Sequence, residues 1–273
     1  MLNTCINLLK EVRKNKPLIH HITNYVTVND CANITLEIGA SPVMAEAIEE
    51  AADIATISGA LVLNMGTLNE RTIDSMIIAG KSANSINIPV VFDPVGAGAS
   101  KFRNDTAARL INELKLNVVR GNISEIKTLA GLSAETKGVD AAEKDIVDVN
   151  NVGEITKSLA QKLDCVVVVS GTIDTISDGN KIIYIENGHP MLTNLTGSGC
   201  MCTSLIGSFC GVAKKEEYLE ASVAAMLCMG IAGKLAYEKS GQFGNGSFHI
   251  ALHDAISKMD EKTLERLAKI REA

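Results

Sequence analysis

Four segments place reactive side chains where a strand or turn hands over to a helix. The apolar run Val90–Asp93 ends in Asp93-Pro94-Val95-Gly96-Ala97-Gly98, a carboxylate at the tip and glycines that allow close backbone approach. The run 117–120 ends in Arg120-Gly121-Asn122-Ile123-Ser124-Glu125, which gathers a cation, an amide and a carboxylate. Residues 165–170 end in Ser170-Gly171-Thr172, and Asn194-Leu195-Thr196-Gly197-Ser198-Gly199-Cys200 leads into a predicted helix. Two carboxylates at neighbouring strand tips, Asp93 and Glu125, can hold Mg²⁺ through a few oxygens and waters. The turn Thr196, Gly197, Ser198, Gly199 at a helix N-terminus offers free N–H groups as an anion hole. Metal plus anion hole is the minimal equipment for phosphoryl transfer. The chain has no G-x-x-x-x-G-K-[ST] and no G-x-G-x-x-G after a strand, so neither a P-loop nor a Rossmann dinucleotide site is supported.

Each segment also has a purely structural reading. Asn122 and Ser124 are good N-caps and Glu125 suits a first helical turn. Asp93-Pro94 is compatible with a plain turn, and Gly197-Ser198-Gly199 with a flexible helix entry. Cys200, in the first turn of its helix, is either a core thiol like Cys202 and Cys210 or a thiol whose pKa the helix terminus lowers, able to take a proton from a substrate hydroxyl. His20 and His21 are adjacent on a strand and point to opposite faces. His249 and His253 have the i, i+4 spacing of a zinc helix, but Ile250 stands where a zincin glutamate would be, so structural roles are expected for them.

Elements that position these residues are legible as alternation. Short β-rich runs at 18–21, Ala60–Asn64, Val90–Asp93, 117–120 and 165–170 alternate with helical stripes, such as Ile73, Met76, Ile77 and Gly80 after the cap Asn69, or Val152, Ile155, Leu159 and Leu163. The pattern predicts an α/β fold of three layers, a mostly parallel central sheet with helices on both faces. Ligands of such sheets sit beyond the carboxyl ends of the strands. Runs 173–177 and 181–186, joined by Asp178-Gly179-Asn180, predict a hairpin with type I′-like turn residues and an antiparallel edge. Helices are predicted at 201–212, 215–237, 248–259 and 261–271. No linker or repeat interrupts the chain, so a single domain over 1–273 is expected.

Composition narrows the partners. The 273 residues carry 26 Lys+Arg against 32 Asp+Glu, a net charge of −6, with 3% aromatic residues and no Trp, so a basic face for nucleic acid or a stacking platform is not expected. Seven cysteines, several inside apolar runs, suggest a reducing compartment, the cytoplasm. Met1 to Lys16 lacks the pattern of a secretory signal. The uncharged stretch 192–213 is rich in Thr, Ser, Asn and Gly, and 221–233 is too short to span a bilayer, so no membrane partner is expected.

Asp93, Asn122-x-x-Glu125 and Thr196-Gly197-Ser198-Gly199, in this order, resemble the ribokinase-like superfamily. Within it, His21-Ile22-Thr23-Asn24-Tyr25-Val26-Thr27, Gly39-Ala40-Ser41-Pro42-Val43-Met44, Asp93 to Gly98 and Gly197-Ser198-Gly199-Cys200 resemble the hydroxyethylthiazole kinase family, over about residues 10 to 250. Many superfamily members carry Asp at the place of Cys200; the thiazole kinases often show Cys. The resemblance implies transfer of the ATP γ-phosphoryl group to the hydroxyl of 4-methyl-5-(2-hydroxyethyl)thiazole, in thiamine biosynthesis. It places substrate contacts at Asn24, Met44 and Gly197, ATP contacts at Arg120 and Ser170, Mg²⁺ near Asp93 and Glu125, and a general base at Cys200. It also implies a homotrimer with active sites between subunits. The rival readings are another small-alcohol kinase of the hydroxymethylpyrimidine or pyridoxal type, and a nucleotide-dependent NAD(P)H-hydrate dehydratase.

Overall fold

The computed structural model of the chain describes residues 1–132, 136–137, 140–141 and 149–273. In order they form α1 (Leu2–Asn15), β1 (Leu18–Ile22), α2 (Val28–Ile38), β2 (Ser41–Met44), α3 (Ile48–Ile57), β3 (Ala60–Asn64), α4 (Glu70–Ser85), β4 (Val90–Asp93), α5 (Lys101–Glu113), β5 (Val118–Asn122) and α6 (Ile123–Ala130). There follow β6 (Thr136–Lys137), β7 (Asp140–Ala141), α7 (Val149–Leu163), β8 (Val166–Ser170), β9 (Asp174–Ser177), β10 (Ile182–Ile185), α8 (Ser198–Cys210), α9 (Tyr218–Ser240), α10 (Asn245–Ser257), α11 (Glu261–Leu267) and β11 (Ile270–Glu272).

Nine strands make one sheet in the order β11-β10-β9-β8-β5-β4-β3-β1-β2. From β8 to β2 all pairings are parallel, and β9, β10 and β11 add an antiparallel edge. Alternate residues of the same strands feed two separate cores, as the two-residue period of a strand requires. Val62, Val91 and Val118 join Leu205, Phe209, Leu227 and Phe248 on the face covered by α1, α2, α8, α9 and α10. Leu61, Phe92 and Val119 join Ile73, Met76, Leu110 and Ile126 on the face covered by α3 to α7. The three layers are those the apolar runs predict.

The stripes and the cap also fall as expected. Ile73, Met76, Ile77 and Gly80 are buried, and the Asn69 side chain accepts from Thr72 N at 3.0 Å. Three details differ. Ser41–Met44 is a strand, although its Pro42 and short length gave no strand signal; it forms the sheet edge, where a missing N–H is tolerated. The last predicted helix stops at Leu267, and Ile270–Glu272 pairs with β10, covering an edge that would otherwise leave its backbone groups open. In the hairpin turn only Gly179 has positive φ, at 89°, so the turn is not type I′. Asp178 Oδ1 organises it by accepting from Asn180 N and Lys181 N at 2.8 and 2.9 Å.

The helical stretch Lys215–Phe243 is long and apolar enough to cross a bilayer, longer than its uncharged centre suggests. Its most apolar window is 83% buried inside the protein, the environment of a core helix.

Candidate active site

The carboxyl ends of β1, β3, β4, β5 and β8 lie side by side and meet the N-terminus of α8. Asn64, the last residue of β3, donates from Nδ2 to Asp93 Oδ2 at 3.1 Å and accepts on Oδ1 from Asn24 Nδ2 at 2.9 Å. Asn24 Nδ2 also lies 3.4 Å from Cys200 Sγ, and Asn24 Oδ1 accepts from the amide and hydroxyl of Thr27, both at 3.1 Å. One chain of amides therefore connects the strand-tip carboxylate to the thiol. Thr203, one turn into α8, closes the ring by donating from Oγ1 to Asp93 Oδ2 at 2.6 Å.

Arg120 is the buried cation of the site. Its Nη1 lies 3.6 Å from Asp93 Oδ2, and its Nη2 donates to Ser170 Oγ at 2.5 Å. The guanidinium passes directly over Gly199: a Cβ there would collide with Nη1, so this position admits only glycine without moving the arginine. Gly197, the α8 N-cap, has φ 87°, and a Cβ there would strike the Thr27 side chain. Two glycines thus bring the first turn of α8 against Arg120 on one side and the Asn24–Thr27 segment on the other. Of the N–H groups of that first turn, the one on Ser198 donates to Leu195 O at 3.3 Å, so it is not free as the sequence suggests, whereas Gly199 and Cys200 have no preceding helical turn to bond to. Gly197, Ser198, Gly199 and Cys200 are partly exposed and Thr196 is exposed, so a ligand can reach them.

Glu125 takes both readings the sequence left open. With Asn122 it forms a capping box: Glu125 N donates to Asn122 Oδ1 at 3.0 Å and Glu125 Oε2 accepts from Asn122 N at 2.7 Å. Its Oε1 accepts from Gly96 N at 2.8 Å, tying the β4 exit loop to the β5 exit. Burial and then the charge of Asp93 push the Glu125 carboxyl up to about 7. Burial likewise pushes Asp93 above the ordinary carboxylate range, with Arg120, Thr203 and Asn64 pulling the other way. Burial works against the Arg120 charge too, but Asp93 and its neighbours outweigh it and hold the guanidinium above its ordinary value. Two buried carboxylates therefore face one buried cation, with the half-buried Arg103 acting on Glu125 from the side. Asp93 Oδ1 is buried without a hydrogen-bond partner among the described residues. A free carboxylate oxygen in a cluster short of positive charge is a donor set that fits Mg²⁺, directly or through bound water.

Cys200 separates from the other thiols: six cysteines are buried and Cys200 is partly exposed. Burial of the sulfur and the Asp93 charge push its pKa up, against the lowering expected of a helix N-terminus, while Thr27, Asn64 and Asn24 pull it down. Met44 ends β2 in register with His21, outside the amide chain. His20 and His21 are only half satisfied: His20 Nε2 meets Ala45 O at 2.6 Å and His21 Nε2 meets Thr35 Oγ1 at 3.3 Å, while Nδ1 of each is buried without a hydrogen-bond partner among the described residues.

Sequence reading missed Asn64, Thr203 and Arg103. Asn64 had a signal, being the polar end of an apolar strand, and Thr203 follows the glycine turn by one helical turn. Arg103 had none. Its guanidinium donates to the carbonyls of Met65, Val95 and Gly66 at 2.6, 2.5 and 2.7 Å, bracing the β3 and β4 exits together.

Residues 9–262 match the hydroxyethylthiazole kinase family. A hydroxyethylthiazole kinase of Clostridium beijerinckii is 58% identical over 267 residues, 97% of this chain and 96% of that one. The structure of a hydroxyethylthiazole kinase from Pyrococcus horikoshii superposes with a TM-score of 0.90 at 36% identity, covering 99% of both chains. A ribokinase-like superfamily protein of Enterococcus faecalis shares the fold at a TM-score of 0.62 and 12% identity, over 93% of this chain and 95% of that one. Sheet order and that structural likeness thus define the class of fold, the ribokinase-like one. Within that class, the chain belongs to the hydroxyethylthiazole kinase family.

Proposed function

We propose that the protein transfers the γ-phosphoryl group of ATP to the hydroxyl of 4-methyl-5-(2-hydroxyethyl)thiazole, a salvage step toward thiamine. The observation that carries this reading is the Arg120 guanidinium lying across Gly199 at the start of α8. A fixed cation beside the N–H groups of Gly199 and Cys200 supports stabilisation of charge on a transferred phosphoryl group without reorganisation. Arg120 and Ser170 hold the nucleotide phosphates, and Thr196, Gly197, Ser198 and Gly199 supply the anion hole. Asp93 and Glu125 would hold Mg²⁺, which when bound adds positive charge beside the phosphates.

Asn24, Met44 and Gly197 orient the thiazole alcohol so that its hydroxyl points toward Cys200. The hydroxyl oxygen forms the new bond to phosphorus as the bond to the β,γ-bridging oxygen breaks. ADP leaves, and the hydroxyl proton passes to the Cys200 sulfur. The acceptor is the thiolate, a small fraction of Cys200 because burial and Asp93 hold the thiol up, and because such a transfer asks mainly for positioning its contribution is modest. The seven free cysteines support a reducing compartment and a cytoplasmic location.

Tyr25 and Val26, beside Asn24, are 79% and 58% exposed. Apolar residues uncovered next to a substrate contact support a homotrimer whose subunits complete each other's sites, and sedimentation should show three chains per particle. Release of ADP from ATP and Mg²⁺ that depends on the thiazole alcohol tests the activity. Release independent of any alcohol, or none, would remove the assignment.

A further inference from the structure

Away from the candidate active site, α2 and α10 bring Asp30, Glu37, His249 and His253 together on one partly exposed face. We infer that Asp30, His249 and His253 form a binding site for a divalent transition ion of the zinc type. Among the described residues, this is the one group of three such side chains whose ligand atoms all lie within 4.8 Å of one another. The His249 and His253 Nε2 atoms are 3.2 Å apart, and Asp30 Oδ1 lies 3.3 Å from the first and 3.9 Å from the second. A tetrahedral ion with bonds of about 2.0–2.1 Å has ligand-to-ligand edges of about 3.3 Å. Two of the three edges already have that length, and the third closes with a small side-chain rotation.

The surroundings fit the same reading. Glu37 Oε2 lies 2.7 Å from His253 Nδ1, the carboxylate–histidine arrangement that fixes a ligand's tautomer and turns its Nε2 lone pair outward. Without an ion, the two facing Nε2 atoms need a proton between them; the ion takes that proton's place. Imidazole and carboxylate ligands suit Zn²⁺ and its neighbours rather than Mg²⁺. Ile250 occupies the helical position of a zincin glutamate, so the site is not built as a hydrolytic centre of that type. The ion is therefore a staple between two helices. Because α2 begins directly after Thr27, which holds Asn24 and packs on Gly197, the staple braces the substrate side of the active site.

The test uses chelator-stripped full-length protein titrated with Co²⁺ and Zn²⁺ by calorimetry and absorption. The expected result is one equivalent of Co²⁺ per chain with a nitrogen- and oxygen-ligand spectrum, displaced by Zn²⁺, and a melting temperature raised by either ion. His249→Gln and His253→Gln should abolish that equivalent, and Glu37→Gln should weaken it about 10–100-fold. Melting in chelator checks that each variant folds, and Asp30→Asn replaces any histidine variant that does not. No stoichiometric uptake by the wild type, a sulfur-to-metal charge-transfer band reporting Cys200, or undiminished uptake in the folded variants would each overturn the site.

Discussion

At the scale of the residue, Cys200 carries the sharpest question. Burial and the neighbouring Asp93 hold its thiol up, so only a small thiolate fraction exists near neutral pH and that fraction grows as pH rises. Turnover of the wild type should therefore climb between about pH 7 and 9. Cys200→Asp, whose carboxyl ionises far more readily than the thiol and can accept from Asn24 Nδ2, should keep or raise turnover and flatten the profile. Cys200→Ser should lower turnover by about tenfold, less than the usual general-base effect of about 10²–10⁴, because such a transfer asks mainly for positioning. Steady-state rates of the three proteins across pH decide the matter, and equal rates in all three would remove Cys200 from the base role.

At the scale of the element, the site depends on how closely the first turn of α8 approaches Arg120. Gly199→Ala should favour the helix by up to about 1 kcal/mol, because alanine is the better helix former. The same methyl group displaces the guanidinium, and a displacement near 1 Å can cost about 10²-fold in rate. Loss of turnover is the expected result, with a lower melting temperature wherever the displaced cation leaves buried Asp93 uncompensated; full activity would show that the arginine does not act over this glycine. Much of this element logic was legible beforehand. An apolar run predicts a buried parallel strand, its exit predicts where ligands bind, and Thr196–Cys200 reads as a helix entry from glycine content alone. What stayed illegible was set by partners distant in sequence. Ile270–Glu272 is a strand only because β10 offers it an edge, and Arg103 matters only because two loops fold their carbonyls around it. Asn122 and Glu125 show a further limit: capping box and candidate metal ligand use the same residue types at the same spacing, so sequence supports both.

At the scale of the whole molecule, a net charge of −6 is no obstacle to the proposed binding of ATP, because the counter-charge is local: Arg120, helix-terminal N–H groups and the Mg²⁺ that the carboxylate pair would hold. Buried acids also set a global pH response. Glu125 is pushed up to about 7, and burial pushes Asp174, which accepts from Gly171 N at 3.0 Å, up to about 7 as well. A carboxyl raised in the folded state contributes stability that is complete below its unfolded pKa, about 4, and is lost as pH rises through its folded value. In metal-free protein the urea midpoint should therefore fall from about pH 5 to 8. Asp174→Asn keeps an oxygen for Gly171 and has no proton to lose, so its midpoint should fall less and exceed the wild type's at pH 8; identical slopes would contradict the burial account.

The central claim is that this site moves a phosphoryl group to one particular alcohol. The most direct test offers the protein ATP, Mg²⁺ and an equimolar mixture of the thiazole alcohol, hydroxymethylpyrimidine and pyridoxal, and follows phosphate esters by mass spectrometry. The account predicts the thiazole phosphate as the dominant product. Ester formed only from the pyrimidine or pyridine alcohol, or no ester, would contradict it.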